Sequence, residues 1–266
     1  MKRFMLFTLC AIFAGMANAQ NVQVQNSGDV IYPTSFRVTP PLREIALASP
    51  VDKDKDFGGI ESPDRTHRPP QIFNYTVADG SQYGDDKSVW QTTMGSRNAG
   101  FKAIIKNWAG QVASGFRPFD PSGAAGPNHY IQAINGTPFQ VRDKNTGTVL
   151  LTANISSLWS PATADDGDPI IMYDKFADRW FISQFGSSGN SIYIAISTTN
   201  DPTGSYYAYT YTSPQFPDYL KFSIWENGYY MTSNQTTDRV FCFERNQMLL
   251  GNTSARAISQ TFTTGT

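Results

Sequence analysis

The side chains in this chain that could do chemistry are few. Asp165, Asp166 and Asp168 fall within four positions of one another and would offer hard oxygen ligands to a cation such as calcium. The Asp-x-Asp-x-Asp-Gly spacing of a calcium loop is missing, however, and no glutamate follows at the distance such a loop requires. A solvated acidic turn is the better reading, and metal binding stays unknown. His129 has no histidine or cysteine near it in sequence to complete a zinc site. No Gly-x-Ser-x-Gly elbow occurs, so Ser-His-Asp hydrolysis has no support. Cys242, in the alternating run Val-Phe-Cys-Phe-Glu, reads as a small buried hydrophobe. Lys221 and Trp225 pair a cation with a flat aromatic, which suits a polar ligand or a glycan ring; inter-sheet packing with a snorkelling lysine explains them equally well. Asp168, Lys221 and Trp225 are therefore the candidate binding residues. No residue is assigned a catalytic role, and no cofactor is implied.

These residues need elements to hold them. The 266 residues are 14% aromatic and only 16% charged, with 21 glycines and 16 prolines. Aromatic and β-branched residues fit pleated, half-buried surfaces, while Gly and Pro punctuate turns. The composition predicts an all-β protein of many short strands. A net charge of −1 gives no chain-wide basic excess for nucleic acid. Lys2 and Arg3, the apolar run Phe4 to Gly15 and the small-x-small Ala17-Asn18-Ala19 have the layout of a secretory signal peptide, residues 1–19, with cleavage before Gln20. Its apolar run is shorter than the roughly 20 residues of a membrane span, and no later stretch is long enough, so no transmembrane anchor is expected. The predicted address is export through the inner membrane, to the medium or the cell surface.

Residues 20–115 form an irregular N-terminal extension, with Pro40-Pro41, Pro69-Pro70 and an alternating-charge run at Asp52 to Asp56. Residues 101–112 half fit a helical spacing, weakened by their glycines. From residue 116 a pattern repeats. Tyr130, Trp180 and Tyr230 are spaced by 50, and so are Asp168 and Asp218. The fullest copy predicts strands at Ile170 to Tyr173, Trp180 to Phe185, Ile192 to Thr198 and Tyr206 to Thr212, joined by short polar turns. Four antiparallel strands at a period near 50 predict β-propeller-like blades over residues 116–266, with Trp159, Trp180, Trp225, Tyr230 and Phe241 between them. About three copies are present, fewer than the four to eight or so of a closed propeller, so the propeller is expected to be incomplete in this chain.

The phrases DPSGAAGPNHYIQAIN, GDPIIMYDKFADRWFISQF and FPDYLKFSIWENGYYMTSN, taken together, resemble a group of large secreted proteins of Bacteroidota type. In that group a propeller-like N-terminal domain is often followed by adhesive modules and a C-terminal sorting domain, and no activity is firmly assigned. The resemblance implies binding or adhesion to a polymer, glycan or surface protein, and the reading leans away from an enzyme. A looser likeness joins ISTTNDPTGSYY and Asp168-Pro169 to hairpins of five-bladed propeller glycoside hydrolases. It implies the alternative, a carbohydrate-active hydrolase or lyase with Asp120 and Asp168 lining the funnel as acid and base or nucleophile.

Overall fold

The computed structural model describes residues 28–51, 105–112, 118–136, 138–160 and 165–262. The predicted signal peptide lies outside them, as does most of the N-terminal extension. Among the described residues the chain is all-β apart from two short helices and one 3-10 turn, and every strand pairing is antiparallel. The strands are β1 (Asp29–Ile31), β2 (Ser35–Val38), β3 (Ser122–Ala125), β4 (His129–Ala133), β5 (Phe139–Asp143), β6 (Val149–Ala153), β7 (Ile170–Asp174), β8 (Arg179–Gly186), β9 (Ser191–Ser197), β10 (Tyr206–Thr212), β11 (Asp218–Trp225), β12 (Gly228–Asn234), β13 (Arg239–Phe243) and β14 (Ala257–Thr261). Helix α1 (Leu42–Ala48) follows β2, and α2 (Arg245–Leu249) lies between β13 and β14. No described helix is long and apolar enough to cross a membrane.

The strands make three open sheets, none of which closes on itself. Sheet one is β3-β4-β5-β6, sheet two β2-β10-β9-β8-β7 and sheet three β1-β14-β13-β12-β11. In each, four consecutive strands meander outward from a first strand, β3, β7 or β11. The early strands β2 and β1 are added at the outer edges of sheets two and three. Residues 105–112 contain no helix; they hydrogen-bond to sheet one instead.

Aspartates fix several hairpin turns by accepting nearby backbone N–H groups, which competes locally with continued pairing. Asp143 Oδ1 accepts from Asn145 and Thr146 at 2.9 and 2.8 Å. Asp174 Oδ1 accepts from Phe176 at 3.1 Å, and Asp201 Oδ1 from Thr203 at 2.9 Å.

Sheet two is the middle layer, which explains why every residue of β9 is buried instead of alternating. Successive side chains of a strand point to opposite faces. Trp180, Ile182 and Ala195 thus join Ile131, Val141 and Trp159 in one core against sheet one. Phe181, Ile194, Ile196 and Tyr211 join Tyr229, Met231, Phe241 and Phe243 in a second core against sheet three. Of the aromatics expected between sheets, Trp159, Trp180 and Phe241 are buried there. Tyr230 is only partly covered and Trp225 is 63% exposed, because both lie on strands of sheet three away from its packed face.

Candidate functional site

The first strands of the three sheets start together. Asp120 stands two residues before β3, Asp168 two before β7, and Asp218 opens β11. The Ile171 N–H donates to Ser122 Oγ at 2.9 Å, stitching β7 to β3. Asn135 braces the same corner: its Oδ1 accepts the Asp168 N–H at 3.4 Å and its Nδ2 donates to the Pro118 carbonyl at 3.1 Å. The result is an acidic mouth in which Asp168 senses Asp120, Asp218 and Lys221.

Burial, followed by repulsion from Asp120 and Asp218, pushes the Asp168 carboxyl up from 3.8 to about 6, with Lys221 opposing. Asp120 Oδ2 is buried and accepts no N–H or O–H among the described residues. A proton held on Asp168, which lies within hydrogen-bonding reach of Asp120, gives that pair the donor it otherwise lacks.

The backbone is strained here as well. Asp120, Asp168 and Tyr219 have φ of 31°, 46° and 54°, a left-handed region that L-residues other than Asn and Asp seldom enter. At Tyr219 the cause is visible: the β11–β12 register shifts between Asp218 and Lys221, as at a β-bulge. The shift turns the Tyr219 ring outward, 39% exposed, with Lys221 Nζ 3.3 Å above its centre. Phe216 packs edge-on against Phe185 at 5.1 Å and is also exposed. Carboxylates, one ammonium and open aromatic rings are a combination that can engage a hydroxyl-bearing or cationic ligand.

The structure brings together Asp168 and Lys221, two of the three predicted binding residues, and separates the third. Trp225 ends β11, seven residues from Asp218, which at strand rise is about 23 Å away. Its ring meets Phe176, at the turn after β7, edge-on at 6.0 Å. Between the two ends runs a groove of about 580 Å³ with walls that include Ala124, Ile171, Met172, Phe222 and Ile224.

The acidic trio disperses. Asp165 Oδ1 accepts the Ser156 N–H at 2.8 Å, and Asp166 holds Ser187 through its N–H and hydroxyl at 3.1 and 2.8 Å. Only Asp168 of the three reaches the mouth, and no group of three or more His, Cys, Asp or Glu suited to a metal occurs among the described residues. His129 opens β4 opposite Asp143. Burial pushes the Cys242 thiol up, which disfavours the reactive thiolate. Asp218 and Tyr219 had not been picked out as site residues, although the 50-residue interval from Asp168 points straight to Asp218.

A carboxyl whose value is raised by folding binds its proton more tightly in the folded state. Between about pH 4 and 6 the folded chain therefore carries more of this proton than the unfolded one, and stability falls as pH rises through that window. Asp168→Asn is expected to remove this contribution. Relative to the parent, the variant should gain stability as pH rises, on the order of 1 kcal/mol by neutrality after allowance for solvent screening. Urea midpoints of both proteins across that range check it; a difference that does not change with pH would contradict it.

No family model, curated protein or solved structure matches the chain.

Proposed function

We propose that this is an exported, secreted or cell-surface binding module of β-propeller-like build, of the Bacteroidota type to which its phrases are similar. In this reading the three meanders are successive blades, β3, β7 and β11 flank the axis, and the mouth engages a glycan or other hydroxyl-bearing polymer. The leader-like residues 1–19 support the address. The four-strand meanders and their shared starting end support the build. One observation carries the site: of the five described non-glycine residues with positive φ, three line this mouth. Aspartate tolerates that region and tyrosine seldom does, so the strain rests on Tyr219; such strain persists only where surrounding structure enforces it, and it concentrates at functional positions.

A binding screen of the purified chain against immobilised polysaccharides tests the proposal. Any polymer retained should be held at least about tenfold more weakly by an Asp168→Asn, Asp218→Asn double variant with native circular dichroism, a loss of roughly 1.4 kcal/mol. Undiminished binding by that variant would remove the mouth from the proposal.

A second reading is favoured by the proton that Asp168 keeps to about pH 6 beside Asp120. A carboxylic acid kept protonated beside a carboxylate is part of the machinery of glycoside hydrolysis, with Asp168 as acid. Asp120, within hydrogen-bonding reach of it, would have to draw back to act as base or nucleophile, since the two carboxyls then stand about 5–10 Å apart. Release of reducing ends from a retained polysaccharide, abolished in Asp168→Asn, would favour the hydrolase over the binding module.

A further inference from the structure

We infer a second ligand site, separate from the acidic mouth, where residues 105–112 cross the polar face of sheet one; its ligand is a carboxylate-bearing sugar. The segment is tied down at several points. Gln111 donates its N–H to Gln132 Oε1 at 2.9 Å and its side-chain amide to the Pro138 carbonyl. Arg142 Nη1 donates to the Ala109 carbonyl at 3.2 Å, and Trp108 Nε1 to the Lys144 carbonyl at 3.4 Å.

The Trp108 indole is held by its neighbours. Tyr130 meets it edge-on at 5.3 Å, and the Arg142 guanidinium lies 5.5 Å from its centre. Gly147, at φ +76°, makes room: a β-carbon there would fall 2.5 Å from Trp108 Cγ. Gly147 owes its positive φ to the β5–β6 turn, where its N–H donates to the Asp143 carbonyl at 2.9 Å, and its missing side chain lets the indole lie close against that turn.

Beside this ring opens a pocket of about 550 Å³, lined by Lys106, Asn107, Trp108, Tyr130, Gln132 and Lys144 among others. Two ammonium groups and two amides face it, and none of its described lining residues is a carboxylate. Lys106 is exposed. Lys144 donates to the Gly126 carbonyl at 2.6 Å, which uses one of its three N–H groups. Arg142, behind the indole, adds a further positive charge. An aromatic plate takes the apolar face of a sugar ring, amides take its hydroxyls, and the cations select a ring that carries a carboxylate. The bond from Lys144 to Gly126 puts the pocket just beyond the far end of β3 from Asp120.

Calorimetric titration of the full chain with trigalacturonate, with galactotriose as the neutral comparison, tests the site. The acidic trimer should bind, more weakly at high salt, and the neutral one at least about tenfold more weakly. Lys106→Glu, a surface change that leaves the fold alone, should weaken trigalacturonate about tenfold or more, as should Trp108→Ala. Because Asp168 belongs to the mouth, the titrations are repeated in Asp168→Asn, where the loss caused by Lys106→Glu should persist, so failure here is distinguishable from failure at the mouth. Absent binding, equal binding of galactotriose, or undiminished binding by Lys106→Glu would overturn the inference.

Discussion

Asp174→Ala is expected to destabilise the protein by about 3–5 kcal/mol, the usual consequence of leaving a buried charge without its partner. Asp174 is fully buried and Arg245 is 5% exposed. Arg245 grips the carboxylate with two donors, Nε to Oδ2 at 2.7 Å and Nη2 to Oδ1 at 3.1 Å. The Tyr229 hydroxyl donates to Oδ2 at 2.9 Å, while the Phe176 and Ala177 N–H groups donate to Oδ1 at 3.1 and 3.3 Å. Truncation would thus orphan a guanidinium, a phenol and a turn at once. Among the described residues Arg245 would retain as acceptors the Glu226 carbonyl at 3.0 Å and Asn246 Oδ1 at 3.2 Å.

The pair joins the end of β7 to the start of α2, so it also fastens sheet two to sheet three. Denaturant unfolding of Asp174→Ala, Arg245→Met and the double variant would measure the coupling. The double variant should lose distinctly less than the two single losses added together, because neither partner is then left charged and alone. Strict additivity would mean that the contact contributes nothing as a pair.

Trp180→Ala should cost a similar amount, about 3–5 kcal/mol, for a different reason. Here the loss is a cavity. Trp180 is fully buried between sheets one and two. It is tilted against Tyr173 at 5.0 Å, and its Nε1 donates to the Asn200 carbonyl at 3.1 Å. Sheet one meets the indole directly: a β-carbon on Gly126 would fall 2.7 Å from Trp180 Cζ2. Alanine leaves a void and an unpaired carbonyl, whereas phenylalanine keeps most of the buried area and should lose less. A fall in urea midpoint with an unchanged slope is the expected signature. A loss under 1 kcal/mol or so would mean that the two sheets collapse onto each other without the ring.

Much of this architecture was legible as alternation and interval. The strands predicted for the second copy coincide with β7 to β10 to within a residue or two at each end, since apolar alternation and Asp-bearing turns agree there. β3 was not predicted, because Ser-Gly-Ala-Ala contains no strong strand former; neighbours, not propensity, make it a strand. β14 escaped as well. Its Ala-Ile-Ser-Gln-Thr carries a single large apolar residue. Any pairing of β1 and β2 was equally out of sight, since their partners lie in the second half of the chain.

At the mouth, the 50-residue interval ties Asp168 to Asp218, and the structure sets Lys221 beside them. The interval could not exclude Trp225, since an interval identifies corresponding positions in a repeat without saying which end of a strand each occupies. Trp108 gave no signal at all. Its meaning comes from Gly147 and Arg142, which only the folded chain places against it.

The two strands at the beginning of the chain have a temporal consequence. β1 registers Asp29 against Ser259, and β2 registers Phe36 against Tyr209. Each meander can form from neighbouring residues, which carries a small loop-closure cost, but these two pairings close loops that span most of the chain. Strands that precede all three meanders are thus among the last to be bonded. Until they arrive, the outer edges of β10 and β14 have unpaired backbone groups of the kind that recruit other chains. β1 and β2 act as late-closing covers on the edges of β14 and β10.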